Sequence, residues 1–106
     1  MIITPAATVA GHRVVETLGL VRGNTIRARN VGKDIVAVIK NLVGGEIEEY
    51  TKMMGQAREQ ALARMMDQAK EVGADAVTDI RFTTSVVMGG AAEMLAFGNA
   101  VKREKE

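Results

Sequence analysis

Few residues in this 106-residue chain can do chemistry: it has one histidine, His12, no cysteine, one tyrosine and two phenylalanines, beside seven methionines. Without cysteine there is no disulfide framework, iron–sulfur cluster, thiolate zinc site or thiol nucleophile. A multi-histidine metal centre within one chain is excluded for the same kind of reason. A serine nucleophile needs a partnering base, which would rest on His12 alone in its entry loop, so triad hydrolysis is not expected. The carboxylates that could serve acid–base work are Glu16, Asp34, Asp75 and Asp79. Each also has a plain structural use: Asp34 caps a helix, Asp75 forms a turn, and Glu16 and Asp79 are solvated strand residues. Asp75, Asp79 and His12 are the candidate metal ligands, though soft metals prefer thiolates or several imidazoles.

The candidate anion site is basic. Arg22, Arg27, Arg29 and Lys33, with Asn30 among them, cluster in sequence, and arginine offers bidentate geometry to a carboxylate or phosphate. Gly44-Gly45 lacks the Lys-Ser/Thr ending of a phosphate loop, and Gly89-Gly90 reads as a hairpin tip. The pairs Met53-Met54 and Met65-Met66 could meet a soft or apolar ligand, but core and subunit packing explain them more simply.

These residues need elements to position them. Arg13 to Val21 is rich in β-branched and aliphatic residues and reads as a strand, bent or bulged near Gly19. Gly23-Asn24 offers a tight turn or second bulge before Thr25 to Arg29 continues the pairing. Residues 34–43 fit a helix as well as a buried strand, with Asn30 or Asp34 as cap and Gly44-Gly45 as terminator. Glu46 to Val72 is an amphipathic helix, with Ile47, Tyr50, Met54, Ala57, Ala61, Met65 and Val72 on one stripe. Met53, Leu62, Met66 and Ala69 widen that stripe. Acids crowd its first turn, where the helix dipole favours them. At roughly 40 Å long, it overhangs a domain whose radius of gyration should be about 13 Å.

Ala76 to Val87 alternates between a mostly apolar and a mostly polar face, as a half-solvated antiparallel strand does. Met88-Gly89-Gly90 turns the chain into a returning strand, Ala91 to Val101, whose Met94, Ala96, Gly98 and Ala100 face can lie tightly under a helix. The charged tail 102–106 is expected to fray. The order predicts a single α+β domain over 1–106: a small, mostly antiparallel sheet packed by one short and one long helix. Open sheet edges and an overhanging Met-rich helix point to a homo-oligomer.

No hydrophobic run approaches the ~20 residues of a membrane span, and the N-terminus lacks the basic start of a secretory signal, which suggests a cytoplasmic protein without a membrane partner. Net charge is +1, so no overall field favours nucleic acid, and aromatic stacking platforms are missing. Residues 1–45 carry six Lys/Arg against two Asp/Glu, and residues 46–106 carry eight against eleven. That asymmetry can help copies associate head to tail.

Val15 to Gly23, Lys33-Asp34-Ile35, Ile39 to Gly45, Tyr50, Ala57-Arg58-Glu59, Gly73-Ala74-Asp75-Ala76-Val77 and the terminal glycine-flanked hairpin together form one pattern. In order and spacing it resembles the YbjQ-like family, small proteins of unknown function labelled heavy-metal-binding. The resemblance covers nearly the whole chain. It implies a dodecin-like subunit, a ring-shaped homopentamer, and a helix over 34–43. Many relatives carry closely spaced acids in the strand after the Gly-Ala-Asp-Ala-Val motif, where this chain has Arg81, Thr83 and Ser85. The expected function is therefore a ring-forming binding or structural module with no identifiable catalytic site. The alternative is a metal-ion or small-anion binder whose site forms between protomers, where a ring repeats one residue around its axis. No cofactor is identified; a metal ion follows from the family label rather than from these residues.

Overall fold

The computed structural model describes residues 1–27, 46–87 and 91–106, except the side chains of residues 46–50 and 87. Its elements are β1 (Ile2–Ile3), β2 (His12–Arg27), α1 (Glu46–Glu71), β3 (Ala76–Val87) and β4 (Ala91–Lys105). The strands form one four-stranded sheet in the order β1-β3-β4-β2. β4 runs antiparallel to both neighbours, and only β1 pairs parallel, with β3. The sheet is thus mixed, small and crossed by one long helix. The helix and strand assignments for 46–71, 76–87 and 91–101 follow the periodicities in the sequence. The helix expected over 34–43 and the hairpin tip at 88–90 lie outside the described residues.

α1 lies on the face where β4 is narrow. Ala57, Ala61, Met65 and Ala69 are fully buried against a cluster with Val21, Val77, Met94, Ala96 and Ala100. Alanines and a glycine on the strand let the helix backbone approach closely. At Gly23 that approach reaches its limit: a Cβ there would run into the backbone of Ala61, Arg64 and Met65. Gly23 therefore serves packing, and the expected turn at Gly23-Asn24 does not form. Instead β2 continues unbroken, with Gly23 opposite Ala96 and Asn24 opposite Leu95. Thr25, buried on the same face, donates from Oγ1 to Gln60 Oε1 at 2.5 Å, which satisfies its hydroxyl.

Three further expectations change. The tail does not fray, because Lys102, Arg103, Glu104 and Lys105 pair with Glu16, Val14, Arg13 and His12. Val72 is 45% exposed, so the buried stripe of α1 ends at Ala69. The alternation of β3 is broken by a register shift between Thr78 and Arg81, where Asp79 takes a left-handed φ of 55°. This slip brings Val77 and Ile80 together over Gly98: a Cβ there would lie 2.7 Å from Val77 Cγ1 and 3.2 Å from Ile80 Cγ1. The irregularity expected near Gly19 is present, with a register shift between Thr17 and Gly19 and a glycine φ of 111°.

The product is elongated. Its radius of gyration is 17.6 Å and its extents are 56 × 22 × 16 Å, against about 13 Å for a compact domain of this size. One face of the sheet carries the helix, and among the described residues no element lies across the other.

Candidate functional site

Strand register decides which polar side chains meet. Phe97 is half-buried on the face opposite α1, with Arg22 directly across from it on β2 and Arg81 directly across on β3. Both arginines are exposed, so Phe97 stands between two basic positions in one row of that face. Arg81 is anchored, since its Nη1 donates to the carbonyls of Pro5 and Ile80, both at 2.8 Å. Arg22 and Arg27 lie five residues apart in a strand without a register shift between them, so their side chains point to opposite faces. Arg27 is half-exposed on the helix side, opposite Ala92. Arg29, Asn30 and Lys33, the rest of the anion candidates, lie outside the described residues.

Asp79 marks a second place on the open face. Its Oδ2 accepts from Asn99 Nδ2 at 3.1 Å and from Thr78 Oγ1 at 3.2 Å, while its backbone N–H donates to the Ala6 carbonyl at 3.0 Å. A non-glycine residue with positive φ in a strand is strained, and such strain persists only where its surroundings over-determine it. Here one carboxylate is held, half-exposed, by a cross-strand amide. The sequence shows no sign of this contact, because the bulge that lets the Asp79 side chain reach Asn99, itself opposite Thr78, breaks the regular alternation.

Asp75 is committed elsewhere. It forms an ion pair with Arg103, its Oδ1 lying 3.2 Å from Nη1. His12 sits across from Lys105 at the far end of the same sheet, half-buried, with its Nδ1 lacking a hydrogen-bond partner. The three metal candidates are therefore not brought together, and no group of three or more His, Cys, Asp or Glu able to hold a metal occurs among the described residues. The donor set of one chain does not fit a soft heavy metal, which wants thiolate or several imidazoles. No described helix is long and apolar enough to cross a membrane.

Comparison with known proteins places this geometry in context. A family model described as "Putative heavy-metal-binding", YbjQ, matches residues 1–104. The chain is 60% identical to a UPF0145 protein of Archaeoglobus fulgidus over 96% of this chain and 94% of that one. It is 53% identical to a UPF0145 protein of Thermosipho africanus over 99% of this chain and 97% of that one. Neither name states an activity. A crystal structure of a DUF74-family protein of unknown function from Pediococcus pentosaceus superposes with a TM-score of 0.71 at 16% identity, covering 98% of both chains. That likeness supports the fold.

Proposed function

The chain belongs to the YbjQ family, and from that membership we propose that it is a self-assembling binding or structural module of the cytoplasm, without catalytic activity of its own. Its partner is further copies of itself, not nucleic acid or membrane. The ring of five with a dodecin-like subunit, implied by the resemblance, is the form this assembly takes.

One observation carries this reading: the described residues leave large apolar side chains exposed. Its core is largely alanine, while Leu20 is 63%, Ile26 61% and Val86 74% exposed. Apolar surface left open on an elongated subunit marks a contact with another molecule. The catalytic side of the proposal rests on the donor chemistry, which offers no nucleophile with a base and no convergent acids among the described residues.

Native mass spectrometry tests the reading. An assembly near five times the 11.3 kDa chain mass supports it; a monomer across micromolar concentrations overturns it.

A second reading has one observation in its favour. Asp79 presents a single oriented carboxylate on the open face, where a neighbouring copy can add donors that the chain lacks. A metal ion or small anion bound between copies would raise the melting temperature, since a ligand that binds only the native assembly stabilises it. For a metal, the shift would be lost in Asp79→Ala. A panel of divalent metals and small anions that leaves the melting temperature unmoved removes this reading.

A further inference from the structure

The two edges of the sheet are guarded unevenly. On β2, the stretch near the hairpin end is occupied by helix side chains. Gln68 Oε1 accepts from the Arg22 N–H at 2.6 Å, and Arg64 Nη1 donates to the Asn24 carbonyl at 2.6 Å. On β3, the opposite end is occupied by the N-terminal segment. The Thr4 N–H donates to the Val77 carbonyl at 3.0 Å, and the Ile80 N–H donates to the Thr4 carbonyl at 3.2 Å. Among the described residues, nothing bonds to the outer backbone of β3 from Phe82 to Val87, or to that of β2 from Arg13 to Leu20.

Strand alternation says which groups are left open. Because the Ile80 N–H points outward, so do the backbone groups of Phe82, Thr84 and Val86. The stretch Phe-Thr-Thr-Ser-Val-Val holds no charge, proline or glycine, so it lacks the usual devices that keep an edge from pairing and is rich in strand formers. Such an edge, bare among the described residues, invites a strand onto it.

The two open stretches lie at opposite ends of parallel strands. β2 and β3 both run antiparallel to β4, with Val87 opposite Ala91 at the hairpin end and Arg13 opposite Glu104 at the other. Setting two copies side by side with a shift of about half a strand brings the open stretch of β3 in one against the open stretch of β2 in the next. The contact is head to tail, so each copy uses both edges, and it closes into a ring when the rotation closes. A stagger between strands is also what a closed sheet requires. Charge does not oppose the contact: the β3 stretch carries none, and in the β2 stretch Arg13 is already paired with Glu104 at 2.5 Å. The joint would cover Val15, Leu20, Phe82 and Val86, all more than 40% exposed.

We infer that the outer edge of β3 at residues 82–87 takes the β2 stretch at residues 13–20 of a second copy of this chain as an added parallel strand. This inference rests on the self-assembly reading above and names the surface that performs it.

Thr84→Pro removes an outward N–H and leaves the β4 ladder intact, since proline is tolerated on an edge. Val86→Lys places a charge on the same edge at an exposed position. Light scattering on the full chain should show both variants falling to monomer mass while far-UV circular dichroism stays folded. Because the chain has no cysteine, Ser85→Cys, on the face opposite α1, can be combined in turn with Val14→Cys, Thr17→Cys and Leu20→Cys on that same face. Under mild oxidation at least one pair should give a ladder of disulfide-linked copies, and no single variant should. If Thr84→Pro fails to fold, Val86→Lys and the ladder decide. Assembly that survives both edge variants, no ladder from any pair, or cross-linking by Ser85→Cys alone overturns the inference while leaving self-assembly standing. A monomeric wild-type chain instead overturns the self-assembly reading.

Discussion

Asp75 and Arg103 grip each other at the end of the sheet remote from the hairpin. The Arg103 backbone N–H donates to Asp75 Oδ1 at 3.0 Å, and its Nη1 donates to the Asp75 carbonyl at 2.8 Å while lying 3.2 Å from Oδ1. This clamp joins the entry of β3 to the last residues of β4. It explains why a charged tail stays in the sheet.

Removing either partner should loosen that end. Asp75→Ala and Arg103→Ala are each expected to cost about 1 kcal/mol, since charge-assisted hydrogen bonds are lost from a site still partly in water. Urea unfolding of the two single variants and the double variant gives the coupling energy. Additive losses would show that the two side chains act independently.

Gly23→Ala should be far more damaging than a single methyl suggests. The new Cβ would lie 2.7 Å from the Arg64 carbonyl carbon and closer still to Ala61 and Met65, and backbone cannot yield as a side-chain tip does. A loss of about 3 kcal/mol is expected, at the severe end of overpacking. Gly11→Ala is the contrasting case for space, because nothing lies within 4 Å of its Cβ position; its φ of 76° leaves only the smaller backbone penalty. Thermal denaturation of the two variants side by side should show the first melting well below the second.

Asp79→Asn and Asp79→Ala should differ in stability. Asparagine tolerates the left-handed φ of 55° and can still meet Asn99 and Thr78. Alanine loses the hydrogen bonds and keeps the strain, so it should cost roughly 1–2 kcal/mol more. Equal unfolding midpoints for the two variants would show that the carboxylate site does not hold the bulge in place.

Gln68→Ala should expose the Arg22 N–H without disturbing the core, because Gln68 is itself exposed. Amide exchange at Arg22 is expected to speed up by about tenfold, in line with loss of one hydrogen bond, while Val21 and Gly23, which face β4, keep their protection. Unchanged exchange at Arg22 would mean that the helix side chain does not guard the edge.

Periodicity made much of the fold readable in advance. The 3.6-residue stripe through Ala57, Ala61 and Met65 and the small-residue face of Met94, Ala96, Gly98 and Ala100 point at each other in the structure, as their spacings require. The parts that were not readable share one cause. Gly23 reads locally as a turn, and only the helix pressing on it shows that glycine is there for want of a side chain. Lys102 to Lys105 reads locally as a solvated tail, and only β2 and Asp75 hold it in the sheet. Ile2–Ile3 is too short to signal a strand until β3 lies beside it.

The candidate chemistry divides the same way. Residue types alone excluded thiolate and multi-histidine chemistry, because a missing side chain cannot be supplied by any fold of one chain, and left a triad resting on His12 alone. Which charges meet was decided by tertiary structure: register sets Arg22 and Arg81 on either side of Phe97, a one-residue slip hands Asp79 to Asn99, and Asp75 is taken by Arg103. Alternation along a strand is a local property, whereas the partner across it depends on a register fixed by bulges and by packing between segments far apart in the chain.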